Sequence, residues 1–413
     1  MFRKLLTYEE AKKAIEQNLK PEPLGTEEIS LLESYNRVLA KDAVAELDIP
    51  PFHRSTVDGY AVKAEDTYGA EERQPLKLKV CGSVHIGELP KLAVVNGEAA
   101  EIVTGAPVPE GADAVVMVED THLQDNELIV YSSVTKSENI QRAGSDIKKG
   151  ETVIKAGQIL GSREIGVLAA LGKSKIEVFK VPTVAVLSTG GEVTEPGKPL
   201  PAGKIYDINA YSLCSAVRES GGNPIYMGVV PDEKETLRKA LENAVALADI
   251  VLTSGGVSVG PKDIVPVTVD SLGKPGLIFS GVALKPGKPV TFGLIGKKPI
   301  FSFPGHPASA LLTFHLLARP IIQIMAAKPP HETGSVKAYV AKRIFAAKGR
   351  RTFVTVKLEF DTAKRLVAEP VETGASGAIT TLAKADGYVE IPENQQFIDV
   401  DEEVVVRLFK QSL

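Results

Sequence analysis

Three carboxylates and two lysines follow successive strand-like runs between residues 180 and 328. Glu192, Asp232 and Asp263 each come shortly after an apolar run, and Lys285 and Lys288 belong to the sequence Lys-Pro-Gly-Lys-Pro. Carboxylate oxygens are the ligands that Mg²⁺ prefers in proteins, and ammonium groups neutralise oxyanions. Together these side chains have the chemistry needed to bind a phosphate or a similar oxyanion.

The elements that must position these residues lie between 180 and 328, where apolar runs of strand length alternate with amphipathic segments of helix length. This alternation predicts a parallel sheet with helices on both faces. Ligands bind such sheets at the carboxyl ends of the strands, so the five charged residues are expected to share one edge. The predicted strands are 183–187, 225–230 and 249–253, the predicted helices are 209–217 and 233–247, and two more apolar runs and a long helix from about Pro307 follow.

Each candidate at this edge also has an ordinary structural interpretation. Asp232 precedes a predicted helix and suits an N-cap. The run from Ser254 to Gly260 lacks the Gly-Lys-Ser/Thr of a Walker loop, and a Gly-rich turn after a strand is often only a tight turn. Lysines are usually solvated, and a single histidine such as His306 usually packs at a turn. The combination at one edge favours a functional site more than any single element does.

Three further clusters lie in the first third of the chain. One loop contains Asp58 within Arg54–Tyr60, a second runs from Thr104 to Gly111 and is rich in Pro and Gly, and a third runs from Asn139 to Asp146. Ordinary turn chemistry is the alternative for all three, and spacing alone favours it.

The rest of the chain reads as several smaller elements. Thr7 to Glu10 has the pattern of a capping box and predicts a helix, and a second helix is expected from Thr26 to Ala40. Short β-rich runs occupy 45–145, and the chain is β-rich again after Pro329-Pro330. Length alone gives a prior of two to three domains for 413 residues, and these regions raise it to four.

Composition excludes several classes of protein. The 48 basic and 52 acidic side chains give a net charge of −4, and Trp is absent. Nucleic acids and anionic membranes need a basic excess, so neither is an expected partner. The two cysteines, Cys81 and Cys214, are widely separated and predict free thiols, and the acidic N-terminal segment is not that of a signal peptide. The richest apolar stretch, 310–327, is interrupted by charged residues, and we expect a cytoplasmic protein.

The motifs together resemble those of the MoeA family of molybdopterin molybdenumtransferases, which includes the gephyrin E domain. The resemblance covers essentially the whole chain. The matching segments, in order, are Ser55-Thr-Val-Asp-Gly-Tyr-Ala61, Thr104-Gly-Ala-Pro-Val-Pro109, Arg142-Ala-Gly-Ser-Asp-Ile147, Ser188-Thr-Gly-Gly-Glu192, Ser254-Gly-Gly-Val-Ser-Val-Gly260 with Asp263, Lys285-Pro-Gly-Lys-Pro289 and Phe303-Pro-Gly-His-Pro-Ala-Ser309.

The resemblance implies a multidomain α/β and β protein that forms an elongated homodimer. Its central domain would be a doubly wound parallel α/β sheet of the molybdopterin-binding type, formed by 1–22 and 180–328. A connecting domain would comprise 23–46 and 145–179, a β-rich domain 47–144, and a C-terminal β-barrel-like domain 329–413.

The resemblance also implies a reaction, in which molybdate is inserted into adenylylated molybdopterin and AMP is released. A molybdopterin adenylyltransferase is the partner that would supply this substrate. The implied catalytic carboxylates are Asp58, Asp146, Glu192, Asp232 and Asp263, of which Glu192, Asp232 and Asp263 would bind Mg²⁺. The implied substrate- and oxyanion-binding residues are Thr104, Ser254, Gly255, Gly256, Ser258, Lys285, Lys288, His306, Pro307, Ser309, Arg350 and Ser376.

Three positions depart from the family pattern. Val57 stands where the family usually has Met, Gly191 where it has an acidic residue, and His306 where it has Asn. Histidine is larger and titrates near neutrality, so the anion pocket can differ in size and charge. Tungstate-selective insertion therefore remains an alternative to molybdate, and a non-catalytic scaffold with the same dimeric fold is the alternative from another class.

Overall fold

The computed structural model describes residues 5–257, 264–329, 334–371 and 380–409. Its contacts divide the chain into two units. The larger unit comprises Met1–Glu28, Asn36–Ala40 and Glu177–Leu413, and the smaller unit comprises Ile29–Tyr35 and Lys41–Ile176. The finer division into four domains stays a prediction.

A six-stranded sheet forms the centre of the larger unit, with the strand order β2-β1-β3-β6-β5-β4. All neighbours of β1 and β3 run parallel to them, whereas β5 runs antiparallel to both β4 and β6. The predicted parallel sheet is confirmed with this one exception, because the turn at Gly296 is too short for the crossover that parallel neighbours need. The strands are β1 (Thr183–Thr189), β2 (Asn223–Val230), β3 (Ile250–Ser254), β4 (Pro275–Ser280), β5 (Thr291–Ile295) and β6 (Lys298–Phe303).

Helices cover both faces of this sheet, as predicted. Residues of β1 alternate between two apolar clusters: Val184 and Val186 join one, and Ala185 and Leu187 the other. The first cluster contains residues of α1, α4 and α5, and the second those of α2 and α3. The helices are α1 (Asn209–Ser220), α2 (Lys234–Leu247), α3 (Ile264–Leu272), α4 (Pro307–Thr313) and α5 (Arg319–Met325), with a π-helical turn (Phe314–Ala318) between the last two.

The segment Pro307–Met325, which spans α4, the π-helical turn and α5, is long and apolar enough to cross a membrane by length and composition alone. However, 61% of its window is buried inside the structure. Its apolar residues belong to the same cluster as the sheet residues Phe301 and Phe303. The segment is therefore a core helix of the larger unit.

The N-terminal helix (Tyr8–Asn18) begins with the predicted capping box. Glu10 N donates to Thr7 Oγ1 at 3.2 Å, and Thr7 N donates to Glu10 Oε2 at 2.7 Å. Both bonds satisfy amide groups that the first helical turn leaves without intrahelical partners.

The predicted helix from Thr26 to Ala40 is wrong. The segment forms a strand (Thr26–Ser30) and a 3₁₀ turn (Leu31–Glu33), and Asn36 has a φ of 62° that interrupts any helix. Backbone bonds with the segment 177–180 compete with the helix, since Ala40 N donates to Glu177 O at 2.9 Å and Phe179 N to Val38 O at 2.9 Å. Tertiary pairing thus overrides a helical pattern of acidic and apolar residues.

The C-terminal part of the larger unit is a closed sheet, as the β-barrel-like prediction required. Each of its five long strands pairs with two others, and this closes the ring. Arg351–Phe360, for example, pairs both with Leu366–Pro370 and with Gly387–Ile391. Ser335–Val340 and Glu403–Leu408 complete the ring. The short strand Leu284–Lys285 joins this sheet beside Arg351 and Thr352, and Ile344–Phe345, Phe397–Ile398 and the helix Thr380–Lys384 accompany it.

The smaller unit is β-rich, as predicted. Its six-stranded sheet has the order Ala114–Met117, Gly59–Val62, Glu98–Ile102, Leu76–Val84, Glu127–Val130 and Thr121–Gln124. Apolar clusters pack on both faces. The smaller unit also contains the short strands Ala43–Val44, Arg54–Ser55, Ile140–Gln141 and Thr152–Ile154, the helix Ser162–Ala170, and the 3₁₀ turns Ala64–Thr67 and Val118–Asp120. Residues of the strand Lys175–Phe179 belong partly to each unit.

Candidate functional site

The carboxyl ends of β1 and β3 form a crevice at the point where the strand order reverses. The chain leaves β1 towards β2 on one side and returns to β3 on the other, which is the arrangement that opens a binding crevice in α/β sheets. Gly255 has a φ of 93°, and a Cβ there would lie 2.2 Å from Thr189 O. The loops after β1 and β3 therefore touch, and only glycine fits between them.

Asn209 joins the loop after β3 to the loop after β6. Its Nδ2 donates to Ser254 Oγ at 2.7 Å and to Gly305 O at 2.7 Å, and Ser254 Oγ donates to Pro304 O at 3.3 Å. The Asn209 side chain is buried, yet its Oδ1 has no hydrogen-bond partner within the described part of the chain. Asn209 thus holds two loops of the crevice and keeps one buried acceptor unused.

Asp207 is a buried residue that connects the end of β1 with the start of α1. It is 3% exposed and accepts bonds from Ser188 Oγ at 2.8 Å and Ala210 N at 3.1 Å. These bonds tie the end of β1 to the start of α1. Sequence reasoning missed Asp207 and Asn209, although an acidic residue and an amide two positions apart at a predicted helix start were a visible signal.

Glu192 and Asp232 lie against the same loop, Gly190–Gly191. Gly191 N donates to Asp232 Oδ2 at 3.4 Å, and a Cβ on Gly190 would lie 2.9 Å from Glu192 Oε2. Both carboxylates are exposed to solvent. The N-cap of α2 is Glu233, so the alternative role of Asp232 as that N-cap is wrong.

The Lys285–Lys288 loop packs against α4. A Cβ on Gly287 would lie 2.3 Å from Thr313 Cγ2, and Thr313 Oγ1 donates to Ser309 O at 2.7 Å. Lys285 is exposed and Lys288 half-buried. The two lysines and Ser309 are therefore carried by elements in direct contact, at the carboxyl edge where β4 ends and β6 leads into α4.

Arg350 is brought near Lys285 by the C-terminal barrel. Lys285 pairs with Thr352, whose hydroxyl donates to Arg350 O at 3.1 Å, and Arg351 N donates to Ala283 O at 3.0 Å. The exposed Arg350 therefore lies two residues before Thr352, the residue that pairs with Lys285. Arg350, Lys285 and Lys288 are all cations, so this edge suits an anion.

His306 and Pro307 open α4. His306 occupies the N-cap position with no side-chain capping bond, and Pro307 is the first helical residue. His306 is exposed, which disagrees with the alternative that it simply packs at a turn. Its imidazole is free to meet a ligand at the sheet edge.

Asp58 and Thr104 meet within the smaller unit. Asp58 Oδ1 accepts from Thr104 N at 2.7 Å and from Thr104 Oγ1 at 2.9 Å. These bonds, the backbone one foremost, lower the pKa of Asp58 below its ordinary value. Two motifs separated by 46 positions thus form one exposed, ionised carboxylate site.

Asp146 is exposed in the same unit, where its backbone N donates to Ile49 O at 3.1 Å. The predicted residues Ser258, Asp263 and Ser376 lie outside the described residues. Within the described ranges, no group of three or more His, Cys, Asp or Glu side chains is placed to hold a metal ion. Of the three predicted metal ligands, only Glu192 and Asp232 therefore lie among the described residues. Their carboxylate oxygens are of the hard type that Mg²⁺ prefers.

Three family models cover most of the chain. The region 6–172 matches the model described as MoeA N-terminal region (domain I and II), 185–324 the model described as "Probable molybdopterin binding domain", and 337–409 the MoeA C-terminal region (domain IV).

Proteins with high similarity come from bacteria and archaea. A molybdopterin molybdenumtransferase of Haemophilus influenzae is 32% identical over 99% of this chain and 100% of its own. Molybdopterin molybdenumtransferase 2 of Mycobacterium tuberculosis is 34% identical over 89% and 91%. The crystal structure of a molybdopterin biosynthesis MoeA protein from Pyrococcus horikosii is 42% identical, covers 98% and 100%, and has a TM-score of 0.83.

Proposed function

The chain belongs to the MoeA family and acts in molybdenum cofactor biosynthesis as a molybdopterin molybdenumtransferase, and from that premise we propose its substrates and chemistry. The protein inserts molybdate into adenylylated molybdopterin and releases AMP, in a reaction that depends on Mg²⁺. One observation carries this proposal: two kinds of charged group lie at the same edge of the central sheet. They are the carboxylates Glu192 and Asp232, which follow β1 and β2, and the lysine loop Lys285–Lys288.

The charge of the reactants explains why the two carboxylates and the lysine loop are both needed. Pyrophosphate and molybdate are both anions and repel each other, so a cationic surface must hold the oxyanion while the phosphoanhydride is neutralised separately. Lys285, Lys288 and Arg350, together with Ser309, would hold the incoming molybdate. The prolines flanking both lysines limit the backbone freedom of this loop, which reduces the entropy lost on binding.

Glu192 and Asp232 fit a magnesium ion. Mg²⁺ is commonly held by one or two carboxylates together with substrate phosphates, so these two carboxylates from neighbouring loops suffice. When bound, the ion neutralises charge on the phosphoanhydride. Asp263 would add a third carboxylate. The protein itself orients the phosphates through the Gly190–Gly191 and Gly255–Gly256 loops, whose close contact at Thr189 keeps the crevice shape fixed.

Asp58, Thr104 and Asp146 of the smaller unit would contribute further polar groups to substrate binding. Asp58 is exposed and Thr104 lowers its pKa further, so the ionised carboxylate can accept hydrogen bonds from the N–H donors of a pterin. The names of the homologous enzymes mention only molybdopterin, and the adenylylated form requires a molybdopterin adenylyltransferase upstream.

The active protein is a cytoplasmic homodimer. An exposed aromatic pair supports the dimer: the Tyr211 and Tyr226 rings, on α1 and β2, lie 5.3 Å apart, and the two residues are 47% and 37% exposed. Aromatic residues are enriched in protein interfaces.

A direct assay tests the chemistry. Purified protein is incubated with adenylylated molybdopterin and Mg²⁺, with molybdate in one arm and tungstate in the other, and AMP and cofactor are measured. AMP release that requires molybdate supports the proposal. A preference for tungstate, which His306 motivates, would change the metal and keep the reaction class. Absence of AMP with both oxyanions would leave only the scaffold.

A further inference from the structure

A cavity of about 340 Å³ lies where the N-terminal helix, the π-helical turn with α5, and the C-terminal barrel meet in the larger unit. It is built from other elements than the crevice at the carboxyl edge of the central sheet. Its polar lining consists of Tyr8, Lys12, His315, Arg319, Gln323, Lys328, Tyr388 and Arg407. None of these residues is used by the proposed reaction.

Two of the lining cations, the buried Lys328 and the half-buried Arg319, have no carboxylate at ion-pair distance. Lys328 is 8% exposed, and its ammonium donates to the neutral Asn36 Oδ1 at 2.9 Å. Arg319 Nη1 lies 3.5 Å from His315 Nδ1. In the part of the chain that the structure describes, no carboxylate lies within 4.0 Å of either cation. Buried charges that lack a partner lower the stability of a fold, so an anion here would stabilise the protein.

Burial perturbs both charges in the expected direction. Desolvation lowers the pKa of Lys328, with the nearby Arg319 charge as a second cause. Desolvation also lowers the pKa of Arg319, although the charges of Tyr388 and Glu219 act in the opposite direction. Carboxylates lie near the other two lining cations, since Glu390 is 3.7 Å from Arg407 and Glu9 is 3.8 Å from Lys12. Glu390 also bonds to Arg351 at 3.0 Å. The described lining residues themselves include four cations and no carboxylate.

The remaining polar groups of the cavity are neutral donors. Burial raises the pKa of Tyr8 and of Tyr388, so both hydroxyls keep their protons. Burial, with the Arg319 charge as a second cause, lowers the pKa of His315 to about 3, so its ring is neutral. A guanidinium only donates, so His315 Nδ1 is the acceptor and Nε2 carries the proton. Cations and donors, with no Asp or Glu among the described lining residues, match a multiply charged acceptor.

We propose that this cavity binds a phosphate group, either as inorganic phosphate or as part of a small phosphomonoester. A tetrahedral dianion accepts hydrogen bonds from several directions and so satisfies Arg319, Lys328 and the tyrosine hydroxyls together. Lys12 and Arg407 at the exposed rim add attraction at longer range. The proposal does not depend on the metal-inserting reaction.

The absence of tryptophan from the chain provides a clean probe. Phe409→Trp places a single fluorophore in the cavity wall, and Phe345→Trp places one on the barrel surface, where Phe345 is 67% exposed. Each protein is titrated with inorganic phosphate and, separately, with AMP, at constant ionic strength set with chloride. We expect a saturable fluorescence change in Phe409→Trp only. Saturation by phosphate alone identifies free phosphate as sufficient, and saturation by AMP alone identifies a phosphomonoester.

Substitutions in the Phe409→Trp protein test the cations. Arg319→Gln should weaken the binding by about tenfold or more, because it removes a charge-assisted bond. Lys12→Gln alters an exposed rim residue that the fold does not need, and should weaken binding by about twofold to fivefold. Circular dichroism verifies folding. No saturable change with either ligand, an equal change in Phe345→Trp, or unchanged affinity in both variants would overturn the proposal.

Discussion

Asn209 Nδ2 donates to Ser254 Oγ at 2.7 Å, and this bond locks the start of α1 to the end of β3. The same amide holds Gly305 O, so one side chain fixes two loops of the crevice. The arrangement makes Asn209 a positioning residue for the Gly255–Gly256 loop and for His306.

Asn209→Ala should reduce turnover by about tenfold to hundredfold, because a displaced loop loses its alignment with the substrate. It should also lower the free energy of unfolding by about 1–3 kcal/mol, since Ser254 Oγ and Gly305 O lose a buried donor. Steady-state kinetics and urea unfolding measure both effects. Asn223→Ala, at the exposed start of β2, is the matched control. Equal turnover in the two variants would remove Asn209 from this role.

Gly255→Ala should lower the free energy of unfolding by more than the cost of placing alanine in a left-handed backbone conformation, because the new Cβ would also clash with Thr189 O. Gly203, which has a φ of 77° and no atom within 4 Å of the place where a Cβ would lie, serves as the control because it shares only the left-handed conformation. We expect Gly203→Ala to cost about 1 kcal/mol, and Gly255→Ala about 3 kcal/mol or more with loss of AMP release. Thermal and chemical unfolding compare the two. Similar costs would contradict the close approach of Thr189 O.

Thr104→Val should raise the pKa of Asp58 towards its ordinary value of about 3.9. In the native protein Thr104 lowers this pKa, so the stability that Asp58 contributes is present above its unfolded pKa and is lost as the pH falls through the lower folded pKa. The variant should therefore lose less stability on acidification below about pH 4. NMR titration of the carboxyl resonance measures the shift, and Thr121→Val is the control. An unchanged Asp58 pKa would sever the link between the two motifs.

Tyr211→Asp should convert the proposed homodimer to a monomer, because it places a charge in the exposed aromatic pair with Tyr226. Light scattering coupled to gel filtration measures the molar mass. Tyr68→Asp, at a residue 56% exposed in the smaller unit, should leave the mass unchanged. A monomeric wild-type protein, or a dimer that survives Tyr211→Asp, would contradict this interface.

Much of the central fold was predictable from local patterns. The alternation of strand-like and helix-like runs predicted β1 to β3 and both intervening helices, because buried parallel strands and amphipathic helices have distinct periods. The capping box at Thr7 was equally readable. The structure of the segment from Thr26 could not be predicted locally. Its sequence has a helical pattern, but it forms backbone hydrogen bonds with 177–180 instead, and such long-range pairing leaves no signal in the local sequence.

The site was predictable in its residue types and only partly in its geometry. Strand ends indicated the edge shared by Glu192, Asp232 and the lysine loop, but spacing said nothing of the contact between Gly287 and Thr313. The meeting of Asp58 with Thr104 also depends on strand pairing within the smaller unit. Asn209 escaped notice because its importance lies in partners 45 and 96 positions away.

The central claim is that the lysine loop holds molybdate while Glu192 and Asp232 act on the phosphoanhydride through Mg²⁺, so that one AMP leaves for each molybdenum inserted. Quantifying AMP and protein- or cofactor-bound molybdenum in the same reaction tests this most directly, in the wild type and in a variant carrying Lys285→Gln and Lys288→Gln. We predict equal amounts of AMP and inserted molybdenum in the wild type, and loss of molybdenum insertion in the variant. Equal insertion by the two proteins, or no AMP from the wild type, would contradict the account.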